Sequence, residues 1–260
     1  MTGPLESFDI QAAGATNRGP YRDLNEDSLL AEFPVYLVAD GMGGHSAGER
    51  ASQAVVDEFA SLIGRTDISA GSVRECIATA QRSVTDIGGG AGSTLSGVVA
   101  VQESQGRWTW IVMNLGDSRV YRCVGGRIQA LSQDHSEVAE LLRAGILDSE
   151  QARHHPHKNV ITKAVGDGES DADYWITPIV PGDTVLICSD GLHGVLDEGT
   201  LYRWLASDSS ADTIAAGLVN EAIAEGSRDN VTAVVIRVDG RSAGGASSSL
   251  PGIMPIEWRK

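Results

Sequence analysis

The chain is poor in cysteine. Cys76, Cys123 and Cys188 lie far apart and form no CxxC pair, which excludes a disulfide framework or a zinc knuckle and leaves three reduced, structural thiols. No apolar run is long enough to span a bilayer. The opening MTGPLESFD has neither a basic start nor an apolar stretch, so no secretory signal is expected and a cytoplasmic location is. Basic residues are scarce too, 20 Lys and Arg against 35 Asp and Glu for a formal charge of −15. Such a field repels polyanions and offers no footprint for nucleic acid. A GxxxxGK[ST] phosphate loop is also missing. DGMGGHSAGE at 40–49 is glycine-rich, but no lysine follows it.

What is present is an ordinary globular composition, 42% hydrophobic and 21% charged over 260 residues, enough for one substantial core. Alternation and β-branched runs predict strands at 8–15, 35–39, 93–102, 107–115, 118–124, 127–131, 172–180, 183–189 and 231–238. Gly125-Gly126 between two of them reads as a tight hairpin and implies antiparallel neighbours. Helical periodicity places Ala51, Ala54, Val55, Phe59, Leu62 and Ile63 on one face. It recurs at Val73, Ile77 and Val84, and at Ile214, Leu218, Val219, Ala222 and Ile223. Grouped helices without βαβ alternation predict an α+β fold with helices covering sheets. Residues 1–240 read as one domain, with 136–160 a surface flap, and 241–260 as a flexible tail with a docking segment at IMPIEW.

Three apolar runs end in aspartate beside a small residue: VYLVAD, WIVMNLGD and VLICSD, closing on Asp40, Asp117 and Asp190. Asp229 precedes a fourth run, VTAVVIRV. Any one of these would be read as a turn residue or helix cap. Four at the ends of buried strands are costly to desolvate unless a cation pairs with them, and few Lys or Arg lie near them in sequence. Oxygen ligands of this kind select hard ions such as Mg²⁺ or Mn²⁺. His154, His155 and His157 lack cysteine partners and are interrupted by proline, so they read as flap decoration rather than a zinc site. Cys188 reads as core, and Asp134-His135-Ser136 as a loop capping the flap helix rather than a hydrolytic triad.

Eight segments in order carry a family resemblance. They are RDLNEDS at 22–28, VADGMGGHSAGERAS at 38–52, GSTL at 92–95 and NLGDSR at 114–119, then QDHS at 133–136, NVITKAVG at 159–166, SDGL at 189–192 and SRDNVT at 227–232. The chain resembles the metal-dependent protein phosphatases of type 2C, the PPM family, in their compact bacterial form. The resemblance implies an α/β/β/α four-layer sandwich of two mainly antiparallel sheets flanked by helices. It also implies hydrolysis of phosphoserine and phosphothreonine by a metal-activated bridging water, without a phosphoenzyme.

Residue by residue, the resemblance implies two Mn²⁺ or Mg²⁺ ions bridged by Asp40, with the Gly41 carbonyl on one ion and Asp190 and Asp229 on the other. Glu26 would act through metal-bound water, Asp117 would join Asp190 at a third, weaker site, and Arg22 would grip the substrate phosphate. Implied partners are phosphoproteins, those of a serine/threonine kinase, met by a monomer without nucleic acid or membrane. Two positions depart from the family pattern. Met42 stands where eukaryotic relatives place a histidine after Asp-Gly, leaving leaving-group protonation unassigned between His45 and a metal-bound water, and Lys163 stands where relatives often carry arginine. The competing reading is a phosphatase-like regulatory binding module without turnover, and a third is a phosphatase restricted to one small phosphoprotein.

Overall fold

The computed structural model describes residues 3–5, 8–44, 46–104, 106–168, 170–240 and 252–255. The strands are β1 Gly3–Leu5, β2 Phe8–Asn17, β3 Asp27–Glu32, β4 Val35–Met42, β5 Gly92–Ser93, β6 Leu95–Gln102 and β7 Trp108–Leu115, followed by β8 Arg119–Val124, β9 Arg127–Ala130, β10 Asp173–Pro178, β11 Thr184–Cys188, β12 Val231–Gly240 and β13 Met254–Pro255. The helices are α1 Ala47–Ala60, α2 Ala70–Ile87, α3 Glu137–Arg143, α4 Ser149–Arg153, α5 Asp190–His193, α6 Glu198–Leu205 and α7 Ala211–Ala224. Among the described residues no helix is long and apolar enough to cross a membrane.

One sheet runs β1-β2-β12-β11-β8-β9 and the other β13-β10-β7-β6-β4-β3, with β5 added to β4. The pairings within both are antiparallel. Alternating side chains of central strands leave each sheet with two apolar faces. The inner faces meet through Ile10, Tyr36, Val98, Trp110, Val185 and Val234. The outer face of the second sheet takes Val55, Phe59, Ile77 and Val84 from α1 and α2, and that of the first takes Leu201, Ile214 and Leu218 from α6 and α7. The expected four-layer sandwich follows. Strand β12 is buried on both faces because helices cover one side and the partner sheet the other, which is why its sequence is a nearly unbroken apolar run.

Local chemistry sets the element ends. Ser69 caps α2, its hydroxyl accepting from the Ser72 N–H at 3.2 Å. Gly125 and Gly126, both at positive φ, close the β8–β9 hairpin with the two-residue turn that glycine allows. Within the flap segment, Ser136 caps α3 and the Glu137 N–H donates to the Val160 carbonyl at 2.9 Å, tying the segment's two ends together. His154 meets Glu150 and His157 meets Glu137, all on the exposed surface. Of the segment read as a tail, Gly252–Pro255 are described. Met254 and Pro255 pair with Ile176 and Trp175, and Ile253 packs against the inter-sheet core. Strands β1, β3 and β13 and helix α6 were not expected from the sequence.

Candidate metal centre

Topology alone brings the aspartates together. Strands β4 and β7 are both antiparallel to β6, so they run the same way and end at one edge, delivering Asp40 and Asp117 there. Strand β11 is antiparallel to β12, so the end of one lies beside the start of the other, which pairs Asp190 with Asp229. Asp27 opens β3 directly across from Asp40. It also joins the sheets, its Oδ2 accepting from the Ser189 hydroxyl at 2.9 Å and the Thr232 hydroxyl at 2.6 Å. Thus all five carboxylates occupy the same end of the sandwich.

Backbone bonds hold them there. The Asp40 N–H donates to Thr94 Oγ1 at 2.9 Å, and the Thr94 N–H donates to the Asp40 carbonyl at 2.8 Å. The Thr94 hydroxyl meets that of Ser118, the neighbour of Asp117, at 2.9 Å. His193 Nε2 donates to the Asp117 carbonyl at 3.0 Å, and burial pushes this imidazole down to about 4, so it is a neutral donor at pH 7. Asn230 Oδ1 accepts from the Glu26 N–H at 2.8 Å. The Glu26 carbonyl in turn takes the Gly41 N–H at 3.0 Å and the Ser52 hydroxyl at 2.6 Å.

The electrostatics are those of an acidic cluster. Burial raises the Asp40 carboxyl well above its ordinary range, and the charges of Asp27, Asp190, Asp117 and Asp229 raise it further. Burial, then Asp190 and Asp134, pushes Asp117 up to about 7. Asp27 is pushed up to about 7 by burial against two hydroxyl hydrogen bonds, with Asp190 and Asp229 adding to the shift. Asp190 is raised by burial and by Asp229, against the Arg22 charge and a hydrogen bond with the Asp40 carboxyl. Burial and the neighbouring carboxylates thus both oppose the charged form of Asp40.

Arg22 supplies a cation at this edge. Its Nη2 lies 2.5 Å from Asp229 Oδ2, with the Arg22 side chain 49% exposed. Desolvation opposes the guanidinium charge, but Asp229, Asp40 and Asp190 outweigh it and hold the group protonated. One guanidinium cannot balance this many carboxylates. Asp27 Oδ1 and Asp190 Oδ1 are buried without a hydrogen-bond partner, and an orphaned buried carboxylate oxygen is stable only when a cation or proton meets it.

Gly41 fits the same requirement. A Cβ there would stand 2.1 Å from the Gly48 carbonyl oxygen and 2.6 Å from that of Glu26, so only glycine lets these backbones meet beside Asp40. The Glu26 carboxylate packs over Gly48. Partial solvent access at Asp40, Asp117, Asp190 and Asp229 leaves a path for an ion. All-oxygen donors of high negative charge suit a hard divalent cation. Among the described residues, however, no three acidic, His or Cys groups form a closed cage around one point. The aspartates share one field, with Arg22 drawn onto Asp229 rather than all side chains converging.

A family model described as protein phosphatase 2C matches residues 22–225, the span from Arg22 to just short of Asp229. The chain belongs to the protein phosphatase 2C family. A serine/threonine phosphatase, stp, of Listeria monocytogenes is 32% identical over 88% of this chain and 96% of its own length. The serine/threonine protein phosphatase PstP of Mycobacterium tuberculosis is 31% identical over 88% of this chain and 45% of its own, longer chain. The crystal structure of Mycobacterium tuberculosis PstP superposes with a TM-score of 0.82 at 27% identity, covering 88% of this chain and 99% of that one. A structure of the PstP catalytic domain in complex with two manganese ions superposes at 0.80, with 27% identity and 90% and 99% coverage.

Against this protein phosphatase 2C fold, every site residue named from the sequence falls at or beside one sheet edge. Arg22, Glu26 and Gly41 join Asp40, Asp117, Asp190 and Asp229 through the contacts above. Sequence reasoning missed Asp27, Thr94, Asn230 and His193. Asp27 lay inside a quoted motif, and its signal was a second acid directly after Glu26. Thr94 and Asn230 also lay inside quoted motifs, GSTL and SRDNVT, but they and His193 hold backbone groups through hydrogen bonds that no pattern announces. Met42 places no proton donor beside Asp40, and His45 lies outside the described residues.

Proposed function

We propose that this serine/threonine protein phosphatase hydrolyses phosphomonoesters at the edge where Asp40, Asp190 and Asp229 share one field. The observation that carries the assignment is the gathering of Asp40, Asp190 and Asp229 where β4, β11 and β12 meet, with Asp40 and Asp190 raised by burial and then by neighbouring charge, and Arg22 as the nearby cation. Asp40 would bridge two divalent ions, Asp190 and Asp229 would complete the pair, and the Gly41 carbonyl and Glu26 would serve from the β4 side. Asp117 with Asp190 would hold a third, weaker ion. Mn²⁺ or Mg²⁺ suits these donors. When bound, such ions supply Lewis acidity, acidifying water and neutralising phosphoryl charge.

The chain's own residues do the rest. Arg22 uses Nη2 on Asp229 and has further N–H groups for phosphate oxygens, so it orients the phosphoryl group against the carboxylate edge. Cys188 is wholly buried, and burial pushes its thiol far above neutrality, so it is no nucleophile. Substrates are the phosphoproteins of a serine/threonine kinase, met by a cytoplasmic monomer. Phosphate release from a phosphothreonine peptide, measured after EDTA treatment and after adding back Mn²⁺ or Mg²⁺, tests this reading. EDTA should abolish turnover and either ion should restore it. Full turnover by protein shown to be free of metal would contradict it.

A further inference from the structure

Beside Arg22, the molecule displays an aromatic ring that its core does not use. Tyr21 is 65% exposed and Leu24 47%. The Arg228 guanidinium lies over the Tyr21 ring, 5.2 Å from its centroid. Arg18, on the same loop, spends Nη1 on the Asp23 carbonyl at 3.3 Å. Scattered exposed apolar residues need no explanation. These are not scattered: they sit next to the residue set on phosphate, at the side of Asp229.

The loop is also held rigidly. One buried side chain, Asn230, spans it, its Nδ2 donating to the Arg18 carbonyl at 2.8 Å and the Leu24 carbonyl at 2.9 Å while its Oδ1 takes the Glu26 N–H. Gly19, at φ +73°, packs so close that a Cβ would stand 2.3 Å from the Asp229 carbonyl oxygen. Tyr21 and Arg228 thus belong to two segments laced into one surface. A surface ordered in advance loses little entropy on binding.

Charge says what it binds. Residues 18–24 and 228–229 hold three arginines, Arg18, Arg22 and Arg228, against Asp23 and Asp229, in a chain of formal charge −15. We infer that Tyr21, Arg228 and Arg18 form a substrate subsite for the peptide flanking the phosphoresidue, one carrying a carboxylate next to it. The flanking chain lies on Tyr21 and Leu24, and its carboxylate meets Arg228, the guanidinium held over the Tyr21 ring. The inference rests on Arg22 being the phosphate-gripping residue, and it adds a substrate preference to that reading.

The test compares kcat/KM for phosphothreonine peptides bearing Glu or Lys on each flank, with p-nitrophenyl phosphate assayed in parallel, for wild type, Arg228→Gln and Tyr21→Ala, each checked for native melting. Wild type should prefer the Glu peptides by about three- to tenfold, as exposed charge pairs allow. Arg228→Gln should shrink that preference. Tyr21→Ala should lower the ratio of peptide to p-nitrophenyl phosphate turnover, mainly through KM. Turnover of p-nitrophenyl phosphate with no Glu preference, or with one that survives Arg228→Gln unchanged, would overturn the subsite alone. No turnover of p-nitrophenyl phosphate by metal-loaded wild type would overturn the site assignment and this inference with it.

Discussion

Arg22 is the residue whose two duties can be separated. It neutralises part of the carboxylate field, and in the proposed site it would offer N–H groups to phosphate. Arg22→Lys keeps the charge but loses the planar fork. Arg22→Ala loses both. A charge-assisted hydrogen bond contributes about 1.5–3 kcal/mol, so Arg22→Ala should lower kcat/KM by roughly 10- to 100-fold, mostly through KM, with Arg22→Lys between the two. Steady-state kinetics on a phosphothreonine peptide measures this, and an unchanged KM in Arg22→Ala would remove Arg22 from the phosphate site. At this scale Asp40, Asp190 and Asp229 were legible, because an acid closing or opening an apolar run stands out. Asp27 was hidden because its burial comes from Ser189 and Thr232, more than 160 residues away. Asp134-His135-Ser136 was read as a loop capping the flap helix. Ser136 does cap α3, while Asp134 pairs with Arg119 and His135 is buried between the Gly116 N–H and Asp173.

Among the elements, the two sheets are joined by more than apolar contact. Arg122 on β8 reaches Asp183 at 2.8 and 2.6 Å, the Thr177 hydroxyl at 2.8 Å and the Pro178 carbonyl at 2.9 Å on β10 of the other sheet. Burial still raises the Asp183 carboxyl against the Arg122 charge, so desolvation is the larger effect even in this pair. Arg122→Ala leaves that carboxylate in the core without its countercharge, held by the Val180 N–H at 3.0 Å, and should cost about 3–5 kcal/mol of stability. Chemical denaturation measures it, and a loss below about 1 kcal/mol would mean the pair behaves as a surface one. The central strands and the longer helices were legible because one buried face gives a clean period of 2 or 3.6. Strand β3 was not: five of its six residues are partly buried, so no contrast between faces marks it. Helix α6 is eight residues long, too short for its period to stand out.

For the whole molecule, the acidic edge couples stability to pH and to metal. Asp27 and Asp117, each pushed up to about 7, titrate near ~4 in the unfolded chain. Between these values the folded protein binds more protons, so stability present in acid is lost as pH rises through 7. His193, pushed down to about 4 by burial, acts in the opposite sense, but mainly below its ordinary value near ~6.5. From about pH 6.5 to 8 the two carboxylates outweigh it and set the sign of the slope. The Tm of EDTA-treated protein should therefore fall across that interval, and the rise in Tm on adding Mn²⁺ should grow. A metal-free Tm that climbs with pH there would contradict the charge assignment.

The most direct test of the centre is phosphate release from a phosphothreonine peptide by wild type and Asp190→Ala, each with saturating Mn²⁺ and with EDTA. Asp190 is assigned to both the core ions and the third site, so its removal should lower kcat by at least about a hundredfold, more than loss of an outer partner costs. Activity should thus require both the metal and Asp190. Asp190→Ala turning over at the wild-type rate with Mn²⁺ would show that the chemistry is held by other residues.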